Sequence, residues 1–210
     1  MQATAKFWDG IAQKYAKSPI GDMEAYEYTL GRTRSYLKDT DVALELGCGT
    51  GSTAIKLADA VTEMVASDVS GGMLEVARDR VAEAGARNIR LVQATPDTAP
   101  EGPFDVVLAH NLLHLLDDTE TSISAVAKRL KPGGLFISKT PCLNENMKSL
   151  KFRVLKRAIP LLQFFGKAPF VRFFSISELE TMITNAGFDI IESGNFPVDP
   201  SSRYLVARKL

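Results

Sequence analysis

Short apolar runs alternate with longer segments of helical spacing through the middle of the chain. Five apolar runs have the length and composition of buried strands: 42–46, 64–67, 89–92, 104–109 and 135–138. Apolar residues recur at helical spacing over 51–60, 71–84 and 119–130. Strands that alternate regularly with helices are typical of an α/β domain, in which helices cover both faces of a mostly parallel sheet.

The N-terminal segment departs from this alternation. Residues 1–40 are helical in pattern, and one predicted helix face carries Phe7, Trp8, Ile11 and Tyr15. We predict a helical arm there. The side chains of Trp8 and Tyr15 either pack in the core or close over a bound ligand, and the sequence leaves both possibilities open.

The C-terminal part predicts one more helix and a strand pair. A Ser-x-x-Glu capping box opens the helix before Gly187, and the pair is either Ser175 with Glu178 or Ser177 with Glu180. Apolar runs at 188–191 and 203–207 then predict two final strands.

Composition narrows the class of protein. With 210 residues, 45% of them hydrophobic, the chain has the size of a single domain spanning 1–210. Lys and Arg number 25, as do Asp and Glu, so no overall positive field favours nucleic acid. No apolar run has the length of a membrane span or follows the first residues as in a secretory signal, so we expect a cytoplasmic protein. The two cysteines, Cys48 and Cys142, form no disulfide or zinc pattern.

The most specific motif is the loop Glu45-Leu46-Gly47-Cys48-Gly49-Thr50-Gly51, between the first predicted strand and a helix. Glycines there allow a tight turn and a close approach of backbone amides to a ligand. The dinucleotide fingerprint needs a third glycine where Ser52 stands, and a phosphate-binding loop needs a lysine, so nicotinamide binding and nucleotide hydrolysis are both disfavoured. Asp68 ends the second strand 21 positions after Gly47, where a ribose-binding carboxylate is expected.

With these features the sequence resembles the class I S-adenosylmethionine-dependent methyltransferases. Four blocks carry the resemblance, namely residues 45–51, Asp68-Val69-Ser70 with Met73-Leu74, Phe104-Asp105-Val106-Val107, and Leu130-Lys131-Pro132-Gly133-Gly134. The resemblance implies a Rossmann-like, seven-stranded, mostly parallel sheet with helices on both faces and an antiparallel last strand. It also implies S-adenosyl-L-methionine as the cofactor.

The resemblance further implies a cofactor site at the strand ends. Gly47 and its neighbours would lie against the methionyl part, and Asp68 would hold the ribose hydroxyls. The loop 94–96 would border the adenine, and either the Thr95 hydroxyl or Asp97 would replace the acidic residue that many relatives have there. The full predicted set is Tyr15, Glu45, Gly47, Cys48, Gly49, Asp68, Val69, Met73, Ala94, Thr95, Pro96 and His110.

The only two histidines, His110 and His114, follow the fourth predicted strand. At a spacing of four they would share one face of a helical turn, and imidazole accepts a proton readily near neutral pH. Either histidine is therefore a candidate catalytic base, and the alternative is that both only line the pocket. Asn111 stands where a zinc protease has glutamate, so we predict no metal site. The stretch also lacks the Asn/Asp-Pro-Pro-aromatic motif of enzymes that methylate DNA amino groups or glutamine.

Residues 141–174 form a long insertion, in which we predict a helical acceptor lid. Its segment 148–172 carries seven Lys or Arg and no acidic residue, and six of the 11 phenylalanines lie within 152–174. Three readings remain open for this insertion. They are a helix packed on the sheet with a basic rim, a lid over an apolar or anionic acceptor, and an interfacial helix that makes peripheral contact with an anionic membrane.

We therefore predict a methyltransferase acting on a small-molecule acceptor, preferably apolar or aromatic, through oxygen, nitrogen or carbon. Alignment of that nucleophile with the sulfonium methyl group can supply most of the catalysis. Two alternatives remain. One is a non-catalytic protein that keeps the cofactor fold and acts through a partner or a membrane surface, and the other is an oxidoreductase. The intact glycine loop and Asp68 favour a working cofactor site.

Overall fold

The computed structural model describes residues 2–142 and 168–210. Within these ranges the chain forms one seven-stranded sheet. The strands are β1 (Val42–Leu46), β2 (Glu63–Asp68), β3 (Ile89–Gln93), β4 (Phe104–His110), β5 (Leu130–Pro141), β6 (Phe188–Asn195) and β7 (Ser202–Lys209). Each strand predicted from the apolar pattern is therefore present.

The order of the strands across the sheet is β3-β2-β1-β4-β5-β7-β6. Strands β1 to β5 pair in parallel, and β7 runs antiparallel between β5 and β6. The strand order reverses between β1 and β4, and open α/β sheets bind ligands beyond the carboxyl ends of their strands at such a point. The predicted Rossmann-like, mostly parallel sheet is confirmed.

Helices cover both faces of the sheet. The described residues form α1 (Gln2–Lys17), α2 (Met23–Tyr36), α3 (Ser52–Leu57), α4 (Gly71–Ala84), α5 (Thr119–Arg129) and α6 (Ile176–Asn185). Leu57 of α3 and Leu74 of α4 join an apolar core on one face of the sheet. Ile123 of α5 and Ile183 of α6 join a second core on the other. Because successive strand residues point to opposite faces, the near-continuous apolar runs supply both cores.

Capping residues set the helix ends. Ser70 Oγ accepts a hydrogen bond from the Met73 N–H at the start of α4, and Gly85, with φ of 64°, ends that helix. Ser175 Oγ accepts from the Glu178 N–H, which selects the first of the two predicted capping pairs. The Glu178 carboxylate pairs with Arg172.

Strand β5 is longer than the predicted strand 135–138. It begins at Leu130, and its pairing with β4 jumps from Leu130 opposite Phe104 to Leu135 opposite Val106. Residues 131–134, between the predicted helix and the predicted strand, therefore form a bulge within β5.

The structure describes only the two ends of the predicted insertion 141–174, which are residues 141–142 and 168–174. Pro141 is the last residue of β5, and Cys142 forms a bridge with Phe174. Residues 168–174 are not helical. The rest of the predicted lid lies outside the described residues, as does most of the basic segment 148–172, so the membrane contact stays a prediction. In the described ranges, no helix is both long enough and apolar enough to traverse a bilayer.

Helix α1 is fastened to the start of α4 by Asp9. Its Oδ1 accepts hydrogen bonds from Ser70 Oγ at 2.6 Å and from the Gly72 N–H at 3.0 Å. The bond from Ser70, followed by that from Gly72, lowers the pKa of Asp9. Asp9 thus adds a negative charge from another helix to the N-terminus of α4, where such a charge is stabilising.

Helix α1 is fastened a second time at its C-terminal end. The Arg80 guanidinium donates to the Ala16 carbonyl at 2.6 Å and to Thr50 Oγ1 at 2.8 Å. It also lies 3.1 Å from Ser52 Oγ. Arg80 therefore joins α1 to the glycine loop, so the predicted N-terminal arm packs beside that loop.

Removal of the Asp9 carboxylate should loosen α1 from α4. We expect Asp9→Ala to speed amide hydrogen exchange in residues 2–17 about fivefold, because hydrogen bonds worth roughly 1 kcal/mol are lost. Exchange mass spectrometry measures this, with Gln13→Ala as the matched control on the exposed side of α1. Asp9→Asn keeps one carbonyl oxygen and should give an intermediate rate. Equal exchange in all variants would contradict the assignment.

Candidate functional site

The loop after β1 turns through three glycines in the left-handed backbone region. Gly47, Gly49 and Gly51 have φ values of 66°, 54° and 78°, and residues with a Cβ adopt such values only with strain. A Cβ on Gly47 would also lie 2.7 Å from Leu112 Cδ1. Gly47 is therefore the point at which the glycine loop meets the loop after β4.

Asp68, at the end of β2, joins the glycine loop to the start of α4. Its Oδ2 accepts from the Gly49 N–H at 2.8 Å, and its Oδ1 accepts from the Ser70 N–H at 2.9 Å. Burial raises the pKa of Asp68, and these two hydrogen bonds oppose the rise. Because a carboxylate offers about four lone-pair positions, both oxygens keep the capacity to accept from ligand hydroxyls.

Glu45 lies beneath the glycine loop and is fully enclosed. Its side chain is 2% exposed, and its Oε2 has no hydrogen-bond partner. Burial raises the pKa of Glu45 to about 8, and the negative charge of Asp68 adds to the rise. The carboxyl group therefore holds a proton at neutral pH. A cationic ligand group beside it would favour the ionised form.

Three other predicted residues lie at the same junction. The Cys48 N–H donates to the Ser67 carbonyl at 2.9 Å, and burial raises the pKa of the Cys48 thiol well above its usual value. The Val69 carbonyl accepts from Gln93 Nε2 at 3.1 Å. Met73 is buried in the first turn of α4. The structure thus brings the predicted residues of the glycine loop and of the β2 end together.

The predicted adenine loop Ala94-Thr95-Pro96 begins directly beside Asp68, since the Ala94 N–H donates to the Asp68 carbonyl at 2.9 Å. The hydroxyl oxygens of Thr95 and Thr98 lie 3.0 Å apart, so the Thr95 hydroxyl is engaged within its own loop. The Asp97 carbonyl accepts from Arg129 at 2.8 Å. Thr95 and Asp97 both remain proposals for the adenine contact.

The aromatic residues of α1 form a line of edge-to-face contacts. The Trp8 ring lies 5.3 Å from Phe7 and 6.1 Å from Tyr15, between ring centroids. Trp8 is partly buried, whereas Tyr15 is 50% exposed. Arg80 joins the next residue, Ala16, to the glycine loop. Tyr15 therefore lies at the end of α1 that Arg80 ties to the glycine loop, and half of its surface is exposed.

The two histidines occupy different elements. His110 ends β4, whereas His114 lies in a 3₁₀ turn at Leu113–Leu115. They do not share a helical turn as predicted, because Asn111, with φ of 56°, redirects the backbone between them. His110 Nε2 and His114 Nδ1 are buried without partners. Burial lowers the pKa of each to about 4, and for His110 the positive charge of Lys139 adds to the effect.

Sequence reasoning missed three residues of this region. Asp9 and Arg80 offer no local signal, since Asp9 lies 61 positions from Ser70 and Arg80 lies 64 positions from Ala16. Lys139 lies beside His110 in the pairing of β5 with β4. The sequence did carry a signal for Lys139. It is a charged residue two positions after Ile137, and so stands at an inward-facing position of an apolar strand.

The assembled residues fit the adenosyl sulfonium compound that the resemblance implies. Asp68 offers oxygens to ribose hydroxyls, and the unpartnered Oε2 of Glu45 is a buried acceptor suited to a cationic amine. Gly47 has no side chain at a point where a Cβ would collide with Leu112, so a ligand can approach the backbone of the loop. Among residues 2–142 and 168–210, no group of three or more His, Cys, Asp or Glu could hold a metal ion.

Comparisons with known proteins agree with this geometry. Residues 44–136 match a family model described as a methyltransferase domain. The chain is 31% identical to the ubiquinone biosynthesis O-methyltransferase of Thiobacillus denitrificans over 201 residues, which cover 94% of this chain and 84% of that protein. It is 30% identical to the protein of the same name from Azoarcus over 170 residues, covering 79% of this chain and 72% of that protein.

A solved structure shares the fold. The magnesium protoporphyrin IX methyltransferase of Synechocystis, determined with SAH bound, superposes with a TM-score of 0.72. The match covers 99% of this chain and 96% of that chain at 18% identity. The shared architecture therefore includes the N-terminal arm as well as the sheet.

The buried histidines should make stability depend on pH. Their folded pKa of about 4 lies below the ordinary 6.5, so the unfolded state binds more protons between these values. We expect the free energy of unfolding to rise as the pH increases from about 4 to 6.5. Urea denaturation of wild type and of His110→Asn/His114→Asn measures this contribution, because groups such as Glu45 act equally in both proteins and cancel. Parallel stability curves would refute it.

Proposed function

Because the chain belongs to the class I S-adenosylmethionine-dependent methyltransferases, we propose that it methylates a hydroxyl oxygen of a small aromatic acceptor. The observation that carries the proposal is the juxtaposition of two features at the carboxyl ends of the strands. Asp68 and the glycine loop form a nucleoside-binding junction. His110 ends β4, which lies beside β1 in the sheet, and its Nε2 has no hydrogen-bond partner.

In this proposal the residues at the strand ends and Tyr15 of α1 would hold the cofactor. Asp68 accepts from the ribose hydroxyls, Glu45 pairs with the ammonium group, and the backbone of residues 47–49 lies along the methionyl part. Val69, Met73 and the loop 94–96 border the adenine. Tyr15 closes the site from α1. S-adenosylmethionine supplies an electrophilic methyl group, so the chain has to align the acceptor and exclude water.

The acceptor side supports an oxygen nucleophile. The two relatives named above are, by name, O-methyltransferases of ubiquinone biosynthesis. Of the two histidines proposed as catalytic, His110 is the stronger candidate for direct contact with the acceptor, because it ends a strand on the face that carries Glu45. Since its pKa of about 4 keeps it neutral, its role in this proposal is to hydrogen-bond the acceptor oxygen.

Loss of the Asp68 carboxylate should weaken cofactor binding. We expect Asp68→Ala to raise the Kd for S-adenosylmethionine and for its demethylated product about 30-fold, because hydrogen bonds worth about 2 kcal/mol are lost. Isothermal titration calorimetry measures both, and Asp79→Ala on the exposed side of α4 is the matched control. A melting curve shows whether the variant remains folded. Unchanged affinity in folded Asp68→Ala would remove this residue from the site.

Loss of the His110 imidazole should slow methyl transfer. We expect His110→Ala to lower kcat about tenfold on an acceptor found among catechols, phenols and hydroxyquinones, because one hydrogen bond to a charged oxygen is lost. The wild-type pH profile should show no inflection near 6.5, since the histidines stay neutral there. Transfer of a labelled methyl group measures both. Cofactor binding without transfer to any of these compounds would favour the non-catalytic alternative.

A further inference from the structure

Lys139 lies at the carboxyl end of β5, beside His110. The two residues are paired in the parallel register of β4 and β5, so their side chains share one face of the sheet. The same face carries Glu45. Residues two positions apart in a strand share a face, and Glu45, His110 and Lys139 each lie two positions after a residue of the same apolar core. Lys139 therefore belongs to the polar row at the ligand-binding edge of the sheet.

The Lys139 ammonium group is poorly satisfied for a buried charge. The residue is 9% exposed. Its Nζ lies 3.3 Å from Thr29 Oγ1 and 3.4 Å from the Ala25 carbonyl, both on α2 and both neutral. Within the described residues it forms no ion pair with a carboxylate. A buried cation without a counter-charge is costly, so an anionic ligand beside it would be strongly favoured.

Among the described residues, no group around Lys139 places a negative charge within ion-pair distance of its Nζ. Asp22, the N-cap of α2, acts on it from a distance and outside ion-pair range. Tyr204, its cross-strand neighbour on β7, has a raised pKa and lies 3.3 Å from Thr33 through its hydroxyl. His110, on β4, is neutral and has a free Nε2. One negatively charged oxygen between Lys139 and His110 would satisfy both.

We infer that Lys139 is the acceptor-binding residue, which holds the acceptor in its phenolate form, with the phenolate oxygen between Lys139 Nζ and His110 Nε2. This inference rests on the proposed function. On binding, the acceptor O–H bond breaks, its proton passes to solvent water, and the electron pair stays on the oxygen, where the positive charge of Lys139 stabilises it. His110 then donates Nε2–H to the phenolate.

Binding of an ionisable chromophore tests this assignment without turnover. Protein saturated with S-adenosylhomocysteine is titrated with 4-nitrocatechol, whose phenolate form has its own visible absorption. We expect the bound probe to ionise about one pH unit below the free probe, equivalent to about tenfold tighter binding of the phenolate. Lys139→Met and Lys139→Gln should abolish this shift, and Lys139→Arg should retain part of it. Lys128→Met, on the exposed side of α5, is the matched control.

Two further measurements separate the assignment from a structural role. Lys139→Met should bind S-adenosylhomocysteine and neutral 4-nitroanisole within twofold of wild type. Its melting temperature should not fall, since an uncompensated buried charge is removed. A marked fall would indicate that Lys139 only ties α2 to the sheet, and would overturn the inference.

The wild-type titration tests the role of Lys139 even if a variant unfolds. A wild-type protein that binds S-adenosylhomocysteine but gives no phenolate shift would also overturn the inference, and would leave the proposed function standing. Failure to bind S-adenosylhomocysteine would instead count against the proposed function itself.

Discussion

The site depends on the two hydrogen bonds that backbone amides donate to Asp68. One comes from Gly49 in the loop after β1 and the other from Ser70 at the start of α4. Two connections that are distant in the chain are therefore held at one carboxylate. The Ser70 hydroxyl continues the link, because it caps α4 and donates to Asp9 of α1. Because the amides oppose the effect of burial on the Asp68 pKa, the same bonds that order the loops also favour the charged form that ribose hydroxyls would meet.

Burial is the common cause of the unusual protonation states along this edge of the sheet. It raises the pKa of Glu45 to about 8 and lowers that of His110 to about 4, so both groups are neutral at neutral pH. It also lowers the pKa of Lys139. In a purely structural core, apolar residues would serve these positions better, since unpartnered polar groups cost stability. Their presence at the carboxyl ends of β1, β4 and β5 is what a binding site for charged ligands requires.

The architecture could be predicted from the sequence because its signals are local. Buried parallel strands are continuous apolar runs, and helix ends carry their own caps, such as Ser175. The glycine loop and Asp68 could likewise be found from their spacing. The bulge in β5 escaped prediction because it depends on pairing with β4. The relation of His110 to His114 depended on one backbone angle at Asn111. Asp9 and Arg80 act only through partners on other elements, which no local pattern specifies.

Lys139 shows how a misfit in the apolar pattern becomes informative once the fold is known. In the sequence it is a single charged residue at the end of an apolar strand, and such a residue can reach solvent along its flexible stem. In the structure α2 covers it, so the residue is 9% exposed and, among the described residues, its ammonium group lies against neutral oxygens alone. Its neighbour His110 is neutral, and its Nε2 has no hydrogen-bond partner. One anionic oxygen would supply both the counter-charge that Lys139 lacks and the hydrogen-bond partner that His110 lacks, which is a simpler explanation than two separate defects of packing.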